Sequence, residues 1–204
     1  MRAATDPTVD DSTVSGKRLL ALLLAFAPAL AQAHPGHAEV GLWAGLLHPL
    51  HGLDHVLAAL AVGAWAARVQ GRALWVLPLA FLAAMAAGIA AAAAGLQLPG
   101  VEPVIAASVL LLGSMIVLDA RLPSALGAAF IVAFAPFHAA AHAVETPAAA
   151  SVLVFAAGVL VATALLHASG IALALALRQR LVWLRLAAVP MALAGAWMML
   201  ARVS

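Results

Sequence analysis

Long apolar runs separated by very short links constrain this chain more than any single residue does. Six such runs recur after a distinct N-terminal stretch: Gly41–Ala67, Ala73–Leu96, Pro103–Leu118, Ser124–Val144, Ala148–Leu177 and Leu181–Ala201. A helix needs about 20 mostly apolar residues to cross the hydrocarbon core. Only helices and closed barrels satisfy their backbone groups there. Charged residues make up 9% of the chain and hydrophobic ones 66%, whereas a soluble domain carries roughly 25% charged residues. The expected fold is all-α: a polytopic membrane helical bundle of six transmembrane helices after a cleavable signal peptide. The third run is short unless it begins near Val101.

The targeting segment is read from Lys17 and Arg18, the apolar run Leu19 to Leu30, and the small-x-small string Ala31-Gln32-Ala33. Residues 1–33 are the expected signal peptide and residues 34–204 a single six-helix transmembrane domain. The mature N-terminus would then lie outside the cytoplasm, and the expected location is the bacterial inner membrane. Charge distribution agrees. The links expected inside, with their flanks, hold Arg68, Arg72, Arg121, Arg178, Arg180 and Arg185, whereas the outward links hold Glu102 and Glu145 and no Lys or Arg. Trp43, Trp65, Trp75, Trp183 and Trp197 fall near span ends, where tryptophans gather. Gly41 with Gly45, and Ala84 with Gly88, have the small-xxx-small spacing that lets helices approach.

Ionisable groups at membrane depth are expensive and mark pathways or partners. The first run holds His48-Pro49-Leu50-His51-Gly52-Leu53-Asp54-His55. On a continuous helix His48, His51, Asp54 and His55 would share one side, and His51 and His55 would reach one metal ion at i, i+4. Pro49 and Gly52 predict a kink or an unwound turn within it. A second island places His138, His142 and Glu145 on one stripe just after Pro136. Further candidates are His167, Glu102 at an outer link, and His34 with His37 at the mature N-terminus. Asp119 beside Arg121 reads as structural.

Cysteine is absent, which removes disulfides, thiolate ligands and cysteine nucleophiles. Imidazole with carboxylate suits Ni²⁺, Co²⁺ or Zn²⁺ better than Cu⁺, and harder ions want more oxygen ligands. The expected partner is thus a divalent metal ion within a lipid bilayer, with no resident cofactor required. No basic, aromatic-interleaved patch suggests nucleic acid, and no Gly-x4-Gly-Lys-Ser/Thr string suggests nucleotide. The sequence leaves a homo-oligomer open.

The chain resembles the HupE/UreJ family of nickel and cobalt permeases. The resemblance rests on His48-Pro49-x-x-Gly52-x-Asp54-His55, on Phe137-His138-Ala-x-Ala-His142-x-x-Glu145, and on Thr163-Ala-Leu-Leu-His167-x-x-Gly170. With His34-Pro35-Gly36-His37 after the signal segment it covers nearly the whole chain. It implies uptake of Ni²⁺ for enzymes such as hydrogenase or urease, with His48, Asp54, His55, His142 and Glu145 foremost and Glu102 behind them. Two departures are visible: Ala143 stands where glycine is expected, and His51 is an addition to the pattern.

No energy source beyond the membrane potential is needed. A dication moving inward through a potential near 100 mV gains roughly 4.6 kcal/mol, twice the roughly 2.3 for one charge. That supports on the order of a thousandfold accumulation. Enzymatic readings fare poorly. A metalloprotease would show His-Glu-x-x-His and a serine hydrolase Gly-x-Ser-x-Gly, and neither string occurs. The alternative expectation is a haem-binding electron-transfer anchor using pairs among His55, His138, His142 and His167.

Overall fold

A computed structural model describes residues 41–146 and 151–201. The signal segment, His34 and His37 lie outside the described residues. Among those described, all regular structure is helical. Helix α1 (Leu42–Leu47) runs into a 3-10 turn (His48–Leu50), followed by α2 (Leu53–Val69), α3 (Ala73–Ala93), α4 (Val101–Val117), α5 (Ser124–Val144), α6 (Val152–Ala176) and α7 (Leu181–Ala201).

Among the described residues, four helices, α3, α5, α6 and α7, are long and apolar enough to cross a membrane. The pair formed by Leu42–Leu50 and Leu53–Val69 passes the same test as one broken span, bent by 85°. Helix α4 has 17 residues, about 26 Å at about 1.5 Å per residue, short of the roughly 30 Å hydrocarbon core. It does begin at Val101, with Gly100 in the left-handed region and Pro103 in its first turn, where a missing N–H costs nothing. The six-run expectation thus becomes four full-length helices, one broken pair and one shorter apolar helix.

The break follows from two residues. Pro49 sits in the tight turn, and Gly52 adopts an extended conformation that ends one helix and caps the next. A Cβ on Gly52 would lie 2.8 Å from His55 Nδ1 and 3.0 Å from Asp54 Oδ1. Only glycine leaves the Asp54–His55 pair room at the elbow.

Helix α6 packs along both arms of the broken span. A Cβ on Gly45 would meet the Phe155 carbonyl oxygen at 2.1 Å, and one on Gly158 would meet that of Leu42 at 2.4 Å. Beyond the elbow, a Cβ on Gly63 would lie 2.0 Å from the His167 carbonyl oxygen, and one on Gly170 would lie 2.1 Å from that of Leu60. The small-residue reading therefore holds at Gly45, and at Gly88, whose added Cβ would lie 2.7 Å from that of Ala139. Helix α3 packs on α5, and α4 on α7. The core between them is alanine-rich, filled by Trp65, Leu77, Met85, Ile105, Leu112, Ile116 and Ile131.

Trp43, Trp75, Trp183 and Trp197 are exposed, but Trp65 is fully buried. Its indole N–H donates to the Ala120 carbonyl at 2.8 Å, so Trp65 is a packing residue and not part of an interfacial belt. Asp119 ties the same end of the bundle together. Its backbone is left-handed at φ 54°. Its carboxylate accepts from Arg68 across the bundle and lies 3.5–3.6 Å from Arg121 and Arg185. Burial would raise its pKa, but the hydrogen bond and charge of Arg68 outweigh that and hold it below the usual carboxylate range.

Candidate metal centre

The elbow and the end of α5 meet. Helix α5 carries His138 and His142 one turn apart on its buried face, and Glu145 at its C-cap. Pro136, within the same helix, lacks an N–H to bond one turn back. Thr146 Oγ1 donates to the His142 carbonyl at 3.0 Å, satisfying one of the orphan acceptors at the helix end.

Four imidazoles form a ladder. His48 and His142 have ring centroids 5.0 Å apart, His142 and His55 4.3 Å, and His55 and His138 5.0 Å. At the outer rung, His48 Nε2 lies 2.9 Å from Glu145 Oε2, and Phe155 packs edge-on against the His48 ring. One ligand atom from each of His48, His142 and Glu145 falls within 4.8 Å of the others, close enough to share one ion. At the inner rung a cavity of about 10 Å³ is lined by Pro49, His55, Ala59, Phe81, Met85, His138, His142 and Thr163. That is space for one water-sized occupant. The ladder runs from solvent toward the interior: the Glu145 side chain is 60% exposed, that of His48 17% and that of His55 11%, while His142 and His138 are 3% and 1%.

Hydrogen bonds set which ring nitrogen is bare. His55 Nδ1 lies 2.7 Å from Asp54 Oδ1. An ionised carboxylate only accepts, so Nδ1 carries the proton and Nε2 the lone pair. Ser108 Oγ donates to the Ile105 carbonyl at 2.7 Å and lies 2.9 Å from His138 Nε2. Its one proton is used on the carbonyl, so His138 donates from Nε2 and keeps Nδ1 bare. Metal-binding histidines show this arrangement, one ring nitrogen donating to a carboxylate, hydroxyl or carbonyl while the other faces the ion. His55 Nε2 and His142 Nδ1 are buried without a hydrogen-bond partner among the described residues. Each such orphan costs about 1–3 kcal/mol, a cost that a bound cation would remove.

The structure thus brings together His48, Asp54, His55, His138, His142 and Glu145. It separates His51, which is exposed at the elbow. The one-helix geometry that paired His51 with His55 does not exist, because the helix ends between them. Glu102 lies exposed in the first turn of α4, outside the ladder. His167 is buried one layer beyond the cavity. Ser108, Phe81 and Met85 escaped the sequence reading, since one serine or aromatic in an apolar helix gives no signal of its partner.

Helices fit to span a bilayer, enclosing a ladder of imidazoles and carboxylates, define a membrane protein with a buried polar site. The profile of the HupE / UreJ protein family matches residues 20–198. Protein HupE of Rhizobium leguminosarum bv. viciae is 41% identical over 147 residues, 72% of this chain and 77% of that protein. The chain belongs to the HupE/UreJ family. No solved structure matches it.

Proposed function

We propose that this chain is a permease for a divalent transition-metal ion, Ni²⁺ first, with Co²⁺ and Zn²⁺ as competitors. One observation carries the reading: a continuous ladder of contacting groups leads from exposed Glu145 through His48, His142 and His55 to buried His138. An ion taken at the His48/His142/Glu145 triangle sheds water for imidazole. It then passes to the cavity without leaving a ligand shell, because His142 belongs to both groups. Asp54 orients His55 and offsets the cation's charge. Six crossings, with α4 the shortest, and a mature N-terminus outside put Glu145 at the outer face. The family supports nickel as the cargo, supplying hydrogenase or urease, and the membrane potential suffices as driving force.

The haem-anchor alternative has no support. The rings lie in contact, and the cavity of about 10 Å³ has no room for a macrocycle.

Uptake into proteoliposomes, with an inside-negative potential switched on and off, tests the proposal. Ni²⁺ accumulation should follow the potential and vanish in Asp54→Asn and His55→Ala while protein remains in the membrane. Near-normal uptake by either variant would sink the site assignment.

A further inference from the structure

His167 lies near the middle of α6 and is 1% exposed. Its Nδ1 is 2.8 Å from the Ala59 carbonyl oxygen. A carbonyl only accepts, so Nδ1 carries the proton and Nε2 is the lone-pair nitrogen. That Nε2 is buried with no hydrogen-bond partner among the described residues.

Structural duty alone does not explain this. The bond to Ala59 uses one ring nitrogen and does not account for the second, which is also buried. Three residues connect His167 to the cavity. Ala59, which it bonds, lines the cavity wall; so does Thr163, one turn before it on α6. Phe81 also lines the wall, and its ring packs on both His138 and His167, with centroids 5.5 and 5.1 Å away. The close approach of Gly63 to the His167 carbonyl fixes the backbone that carries the ring.

We propose that His167 Nε2 is a further metal-coordinating position, taken by the divalent ion after the His55/His138/His142 cavity. The proposal rests on the permease reading and extends the ladder by one rung. Ala59 serves His167 as Asp54 serves His55 and Ser108 serves His138, holding the ring in the tautomer that leaves a nitrogen for the ion.

Zn²⁺ is a diamagnetic probe for the test. The full chain, ¹⁵N-labelled at its histidine rings, is titrated with Zn²⁺ in lipid nanodiscs. The His167 Nε2 resonance is identified by its loss in His167→Asn. On addition of Zn²⁺ it should shift while Nδ1 stays protonated. If the rings of His55, His138 and His142 shift and His167 does not, this inference fails and the permease reading stands. If none of the four shifts, the metal site itself fails. Separately, His167→Asn keeps an N–H for Ala59 and should lower Ni²⁺ uptake at limiting metal at least tenfold, with unchanged membrane content and melting temperature. Wild-type uptake by this variant would make His167 a helix clamp. Should it not fold, the His167 resonance is assigned by its loss in His167→Gln, and the wild-type titration still decides.

Discussion

Ser108→Ala tests whether the hydrogen-bonded frame around the ladder, and not only the ladder, sets metal affinity. The perturbation is small. Alanine fits any site serine fits, and it favours a helix by about 0.5 kcal/mol. What is lost is the oxygen 2.9 Å from His138 Nε2, inside a fully buried contact. A buried N–H without an acceptor costs about 1–3 kcal/mol, so after the helix gain the net loss of stability is about 0.5–2.5 kcal/mol. The functional effect is larger in proportion. With nothing accepting at Nε2, the ring proton is free to move to Nδ1, the nitrogen kept bare for the ion. Loss of such a partner lowers metal affinity about 10- to 100-fold, equivalent to about 1.4–2.8 kcal/mol. The assay is the Ni²⁺ concentration for half-maximal uptake in proteoliposomes, with thermal melting as a check on folding. A rise of 10- to 100-fold at nearly unchanged maximal rate is expected. A folded variant with the wild-type half-saturating concentration would refute the assignment of His138's bare nitrogen.

Two further expectations concern the scaffold. Gly63→Ala should lower the melting temperature, because the new methyl would lie 2.0 Å from the His167 carbonyl oxygen and 3.0 Å from Ile171 N. Backbone cannot yield as a side chain does, and overpacking costs about 1–3 kcal/mol; a higher melting temperature would contradict the close contact. Asp119→Asn keeps the shape and suits the left-handed backbone, so it removes charge alone. A carboxylate whose folded pKa is depressed stabilises the fold above its unfolded pKa, about 3.9. That contribution is lost as pH falls through the folded value. Melting curves of wild type and variant should therefore be about 1–3 kcal/mol apart at pH 7 and converge below about pH 4; a gap that persists in acid would mean the ion pair is not its source.

Much of this was legible because membrane helices advertise themselves. The runs at Ser124–Val144 and Leu181–Ala201 match their helices end to end, and the break at Pro49 and Gly52 was readable from backbone chemistry alone. The stripe of His138, His142 and Glu145 survives because α5 stays helical through it. The first island behaved differently. An 85° bend invalidates helical angles counted across it, and so His51 parts from His55. Contacts between distant segments left no local trace. The main partner of Asp119 is Arg68 and not its neighbour Arg121, and Ser108 reaches His138 across two helices. Trp65 carries no mark in sequence to distinguish it from the four exposed tryptophans; only the Ala120 carbonyl does.

The two glycine contacts along α6 have a mechanical consequence. Gly158 and Gly170 are about 18 Å apart on one rod, at about 1.5 Å per residue. Each is seated against a different arm of the elbow. An elbow on its own is a hinge, but one braced by a strut across both arms is a triangle, which cannot change its angle without changing the length of a side. The spacing of His48 from His55 is thus a property of a truss.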